Sequence, residues 1–497
     1  PRPSPTPSAS PTPRPSSTPS PSPTPSPSPT PSPSPTPSPS PIASLGPLPA
    51  TAAAPTGAYG LIKLISNYTG PAVKVFRSSD NASVDVGFVG RNLDIASLNA
   101  FANGATLTIS KLYDQTGNGN HLLQANTAVQ PKLFLTSGSA PVILVRQSEY
   151  FDVPATLTAS RQNFSTFVAA RFPSNLRPTP ILDLGTGANS DLGWLTTYSN
   201  FFQQVFIDGT TRFDATQPTL PSASASVVGL VSGAAGLTFH RDSYKTTGSA
   251  LTAGAMNHGG RFLGSRVQYV DGRFDLFSWV FYPSALSTTD SNAVKSALQA
   301  IHSTNASALT AQVFIQGDSI TEGIGAPNNI TIARSLSDQI ADPTKMVRCY
   351  GKSGNMMQYD TGTWSGLGSA YFEPGVPNVL VVWLGTNDIA FGRTAEQLWA
   401  DYNTYITFAK QAGWTKIVGA TALPRNGTGW TAANETERQS FNALVRANAA
   451  GYFTAIWDVD ALTRSGQALF GFLTDTNLAP DHLHPSEAAY RLMGPSL

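Results

Sequence analysis

Val379-Leu-Val-Val-Trp-Leu384 runs directly into Gly385-Thr386-Asn387-Asp388. Six apolar residues in succession, three of them valine, predict a strand buried on both faces, with a glycine-led polar loop at its end. The same pairing recurs upstream. Val313-Phe-Ile315 precedes Gly317-Asp318-Ser319-Ile320, and Met346-Val-Arg-Cys-Tyr350 precedes Gly351-Lys352-Ser353-Gly354-Asn355. Ile417-Val-Gly-Ala420 and Ala455-Ile-Trp457 add two further apolar runs, and the spacing predicts helices over 395–412 and 432–449. Strand-helix alternation of this kind specifies an α/β domain whose parallel sheet is covered on both faces. Ligands in such sheets bind beyond the carboxyl ends of the strands, where the polar clusters fall.

A fourth cluster, Asp481-His482-Leu483-His484-Pro485, stands near the end of the chain. Together the four supply what acyl transfer needs: a nucleophile, a base, a group that orients the base, and donors for a developing oxyanion. Ser319 carries the hydroxyl, and its rival reading is a helix N-cap. His484 is the expected base, with His482 its competitor. Asp481 would hold the other ring nitrogen of the base, with Asp475 as a second carboxylate to weigh. The expected donors are the backbone N–H groups of Ser319 and Gly354 and the side-chain amide of Asn387. Glycine at 354 is read as permitting close backbone approach. Asp318 and Asp388 are read as structural hydrogen-bonding residues, and Cys349 as a small buried filler. Trp364, Trp383 and Trp430 are candidates for a sugar platform, with buried packing the competing reading for Trp383.

These four blocks resemble the SGNH, or GDSL-type, hydrolase family, named for a Ser, a Gly, an Asn and a His that Ser319, Gly354, Asn387 and His484 match. The first block departs in reading Gly-Asp-Ser-Ile rather than Gly-Asp-Ser-Leu. The resemblance covers roughly residues 311–497. It implies a flavodoxin-like three-layer α/β fold, ester hydrolysis without metal or cofactor, and the triad Ser319-His484-Asp481. The chain stops soon after the last block, which predicts a short final helix.

Residues 56–305 follow a different pattern. Val73-Lys-Val-Phe-Arg77, Thr106-Leu-Thr-Ile-Ser110, Phe164-Ser-Thr-Phe-Val168 and Phe274-Asp-Leu-Phe-Ser-Trp-Val-Phe281 are short apolar-aromatic runs separated by turn residues. They predict an antiparallel β-sandwich, or jelly roll, closed by a single helix over 289–301. Ser66-Asn-Tyr-Thr-Gly70, Arg77-Ser-Ser-Asp80 and Leu112-Tyr-Asp-Gln-Thr-Gly-Asn-Gly-Asn-His121 resemble the sandwich domain of the α-L-arabinofuranosidase B family, and the remainder resembles concanavalin/laminin-G-like folds. Gly117 and Gly119 are read as turn residues, with Asp114 bonding nearby backbone. Glycoside cleavage needs two placed carboxyl groups, yet Glu149 is the only glutamate between Ala58 and Ser303. A carbohydrate-binding or scaffolding role is therefore expected, with Tyr113, Trp194 and Tyr198 as candidate platform aromatics.

Of the 40 prolines, 22 lie at or before Pro55, so residues 1–55 form a Pro/Ser/Thr-rich linker expected in extended polyproline II. Such a spacer implies life outside the cell and further modules or a cell wall beyond it. The chain begins at Pro1 without an apolar leader, as a mature form would after loss of its export signal. Charged residues are only 12% of the chain and the net charge is +1, so no basic face for nucleic acid is expected. No apolar run is long enough to span a membrane. The reading is a secreted esterase that deacetylates a polysaccharide such as acetylxylan. Its rivals are a general short-chain esterase or lipase-like hydrolase, a bifunctional arabinofuranosidase-esterase, and a non-catalytic glycan-binding surface protein.

Overall fold

The computed structural model describes residues 48–497 apart from 136–140, 147–148, 158, 172–178, 185–191, 199–200, 208–210, 217–224, 243, 252–259, 263–273, 303–308, 327–330, 343, 361–370, 374 and 428. The Pro/Ser/Thr tract up to residue 47, Trp364, and the side chains of Trp194 and Tyr198 lie outside the described residues.

The N-terminal domain is built on a large sheet system that is antiparallel throughout its described residues. At its centre Phe164–Arg171 pairs with Phe274–Tyr282 on one side and Ala225–Gly233 on the other. Alternate residues of these strands divide between two apolar clusters. Phe164, Val168, Trp279 and Phe281 pack inside the sheet system. Phe167, Ala169, Phe277 and Val280 face the other way, against Val294, Leu298 and Ile301 of the helix Thr288–His302. That helix spans the segment read as helical. A second helix, Ile95–Ala102, was not expected. It is only eight residues long and is held by Asp94, whose side chain caps Ser97 N. Gly117 and Gly119 take positive φ in the turn that Asp114 braces by accepting from Thr116 N and Asn120 N.

In the C-terminal domain five parallel strands, Ala311–Gly317 (β1), Lys345–Gly351 (β2), Asn378–Trp383 (β3), Lys416–Ala420 (β4) and Ala455–Trp457 (β5), lie in the order β2-β1-β3-β4-β5. The period of two explains how the sheet is covered on both sides. Ile315, Val381 and Trp383 pack with Ile332 and Leu336 of Ile332–Ile340 (α2) and Tyr490 and Met493 of Glu487–Met493 (α6). Phe314, Leu380 and Val382 pack on the opposite face with Leu398, Tyr402 and Ile406 of Ala395–Gln411 (α4) and Phe441 and Val445 of Ala432–Ala447 (α5). Cys349 is buried in the first of these clusters.

A buried ion cluster joins the two domains through α2. Arg146 and Lys132, from the antiparallel domain, both bind Asp338. Glu149, 1% exposed, is taken up by Arg146 at 2.5 Å and lies 3.4 Å from Arg334. The only glutamate of the N-terminal domain is thus an interdomain strut. Burial alone would raise the Asp338 carboxyl, but Arg146 and Lys132 hold it well below its ordinary range. Removing one member of such a cluster strands buried charge. Asp338→Ala is therefore expected to cost about 3–5 kcal/mol, seen as a lower midpoint in chemical denaturation.

Candidate active site

Ser319 opens a short helix, Ser319–Glu322 (α1), directly beyond β1. Its N-cap is not the serine but Asp318, whose Oδ1 accepts from Ile320 N at 2.9 Å. Capping thereby falls to the neighbour and leaves the serine hydroxyl available. His484 comes from the loop before α6, and its Nε2 lies 2.8 Å from Ser319 Oγ, 165 residues away in sequence. Its Nδ1 lies 2.6 Å from Asp481 Oδ2. A ring nitrogen facing a carboxylate carries the hydrogen, so Nε2 is left to accept from the serine. Asp481 Oδ1 takes the backbone N–H groups of Leu483 and His484. Burial would raise the Asp481 carboxyl, yet these bonds from His484 hold it below its ordinary value.

The rivals are engaged elsewhere. His482 Nδ1 bonds Leu473 O at 2.6 Å, with the residue at φ 60°. Asp475 accepts from Asn477 within its own turn. Trp383 is 3% exposed, lies against Trp457 and donates to Thr421 O, so burial removes it as a platform.

The structure also brings the remaining blocks to this end of the sheet. Asn387, in Thr386–Ala390 (α3) beyond β3, donates from Nδ2 to Asn355 O at 3.0 Å and reaches Asp318 Oδ2 at 3.5 Å. Asn355 Nδ2 in turn donates to Asp360 Oδ2 at 2.9 Å, which also accepts from Gln316 Nε2 at 2.6 Å. Asp388 accepts from Met357 N at 3.0 Å and from Gln358 N. Each of these buried carboxylates is thus a brace for one of the loops. Burial pushes Asp318 up to about 7 and Asp388 up to about 6.

Gly354 has φ 73° and open space where a Cβ would lie. Positive φ, not close approach, is what requires glycine there. Close approach occurs instead at Gly325, where a Cβ would stand 2.7 Å from His484 Cβ. Sequence reasoning missed Gly325, Asn355 and Asp360. Gly325 and Asp360 lie outside the four blocks and carry no local signal. Asn355 stands in the second block, but its bonds to Asp360 and Asn387 form only in the fold.

Residues 315–492 match the GDSL-like Lipase/Acylhydrolase family. The C-terminal region is a GDSL-like acylhydrolase domain. Upstream of this acylhydrolase domain, residues 41–163 match the family described as Alpha-L-arabinofuranosidase B, catalytic. A probable alpha-L-arabinofuranosidase B of Aspergillus fumigatus is 42% identical over 64 residues, and an alpha-L-arabinofuranosidase of Hypocrea jecorina is 43% identical over 63. These matches cover 12% of this chain and only 13% of those relatives' length. Among solved structures, an arabinofuranosidase complexed with arabinofuranosyl-alpha-1,2-xylobiose aligns at TM-score 0.39 and 17% identity over 50% of this chain and 62% of its own. A putative GDSL-like lipase from Parabacteroides merdae aligns to 37% of this chain and 93% of its own at TM-score 0.32 and 19% identity.

Two outcomes test the bracing around the acylhydrolase site. Asp360→Ala leaves the amides of Asn355 and Gln316 without their acceptor, and is expected to lower kcat on p-nitrophenyl acetate about 10- to 100-fold with little change in KM. Asp360→Asn, which keeps an acceptor oxygen, should recover part of the loss. Asp318 holds its proton in the folded chain up to about pH 7, whereas an unfolded aspartate loses it near pH ~3.9. The folded state therefore binds the extra proton between these values, and stability falls as pH rises through that window. Asp318→Asn keeps the cap but not the titration. Its stability relative to the parent should thus improve from pH 5 to pH 7, by at most about 1.4 kcal/mol per pH unit, in denaturant titrations.

Proposed function

We propose that this chain is a secreted serine esterase that removes acetyl groups from a polysaccharide such as acetylxylan, through an acyl-enzyme on Ser319. The observation that carries the reading is the 2.8 Å approach of His484 Nε2 to Ser319 Oγ with Asp481 behind it. Ser319 Oγ attacks the ester carbonyl while His484 Nε2 takes its proton, and Asp481 stabilises the imidazolium that results. The N–H groups of Ser319 and Gly354 and the Asn387 amide receive the oxyanion. Collapse expels the alcohol, which takes the proton from His484. Water, deprotonated by the same imidazole, then releases the acyl group as acetate.

The sugar half of the reading draws on the arabinofuranosidase-B-like segment upstream of the acylhydrolase domain. In this reading residues 56–305 form a concanavalin/laminin-G-like jelly roll that binds or orients glycan. The Pro/Ser/Thr segment 1–55 is the extracellular spacer to a further module or a wall. A second reading, a bifunctional arabinofuranosidase-esterase, is favoured by the match of residues 41–163 to a catalytic family. Against it, two buried carboxylates of this domain are committed to ion pairs, Glu149 with Arg146 and Asp275 with Arg171.

Ser319→Ala is expected to reduce acetate release from acetylxylan by about 10⁴-fold or more and to abolish labelling by an organophosphonate, with the denaturation midpoint retained. A parent enzyme that prefers p-nitrophenyl esters of long acyl chains over acetate would refute the carbohydrate assignment. Arabinose released by the Ser319→Ala protein would establish the second reading.

A further inference from the structure

The loop beyond β4 holds a cation that the reaction above does not use. Arg425 is half-buried, with its guanidinium carbon 5.4 Å from the ring centroid of Trp430. The backbone N–H of the next residue, Asn426, donates to His482 O at 3.1 Å, so this loop is fastened to the one that carries Asp481 and His484. Burial lowers the guanidinium below its ordinary range, and the charges of Asp318 and Asp481 act against that shift.

Neither carboxylate is free to pair with it. Asp481 spends Oδ1 on two backbone N–H groups and Oδ2 on His484. Asp318 spends Oδ1 on Ile320 N and turns Oδ2 to the Asn387 amide. Among the described residues Arg425 Nη1 is buried and has no hydrogen-bond partner. Two arginines of α5 are treated differently. Arg438 and Arg446 each bind Asp460 at 2.6 Å. A buried guanidinium N–H without an acceptor costs free energy, so a site that keeps one open is suited to an acceptor from outside. The planar fork suits a carboxylate taken through two parallel bonds, and the cation–π contact with the indole restricts the fork beforehand.

We propose that Arg425, held against Trp430, binds a carboxylate on the substrate, so that the preferred ester lies on a glycan bearing a uronic acid near the acylated position. The proposal rests on the esterase reading above and narrows its substrate class. A neutral glycan ester would enter the same site but leave Nη1 without an acceptor.

The test uses the full chain on three substrates. These are p-nitrophenyl acetate, acetylated xylan carrying glucuronic acid branches, and the same polymer after an α-glucuronidase has removed them. The expected result is a KM about tenfold lower on the branched polymer, a preference that shrinks as salt is raised. Arg425→Gln should bring the kcat/KM ratio of the two polymers close to one. Arg425→Lys, which keeps charge but loses the fork, should retain part of it. If the parent treats both polymers alike while hydrolysing p-nitrophenyl acetate, the carboxylate site is overturned and the esterase reading stands. Equal losses on both polymers in Arg425→Gln also overturn it, because they would mark a role in the common chemistry. Failure of the parent on all three substrates overturns both.

Discussion

The parallel register of β1 between β2 and β3 sets the height at which every reactive group emerges. Gly317 lies level with Gly351 on one side and with Trp383 on the other. The loops bearing Ser319, Gly354 and Asn387 therefore leave the sheet at one level, and each apolar strand commits its polar residues to the same rim. A slip of one residue in any strand would exchange its two faces and swap the cluster containing Ile315 with that containing Phe314. The burial of both faces thus fixes the rim as firmly as it fixes the core.

Behind the rim, buried carboxylates hold the loops. Asp318 caps α1, Asp388 fixes the backbone at Met357, and Asp360 orients Asn355, which accepts from Asn387. These groups sit where desolvation disfavours charge, so two of them titrate well above the usual carboxylate range. Asp481 differs because it faces His484 and two backbone donors, and its carboxyl falls instead. One residue type therefore serves as brace in one place and as partner of an imidazole in another, according to its donors.

The antiparallel domain reaches this machinery through α2, which supplies Arg334 and Asp338 to the interdomain ion cluster. The same helix packs under β1 through Ile332 and Leu336. The two domains are consequently joined by buried charge at this contact.

Strand-helix alternation, the two-sided burial of the strands and the four polar blocks were all legible in the chain, because they depend on local periodicity and on residues adjacent in sequence. Ser319 could be chosen by its chemistry, His484 and Asp481 by the likeness of their block to the family with His482 and Asp475 still as rivals, and the helices over 395–411 and 432–447 by their apolar spacing. What the tertiary structure decided was everything that depends on partners far along the chain. It separated His484 from His482, made Glu149 a strut, set Trp383 in the core, and left Arg425 Nη1 without an acceptor among the described residues. A sequence states which groups a residue carries, but the direction in which they point, and whether another group reaches them first, is settled only when distant segments pack together.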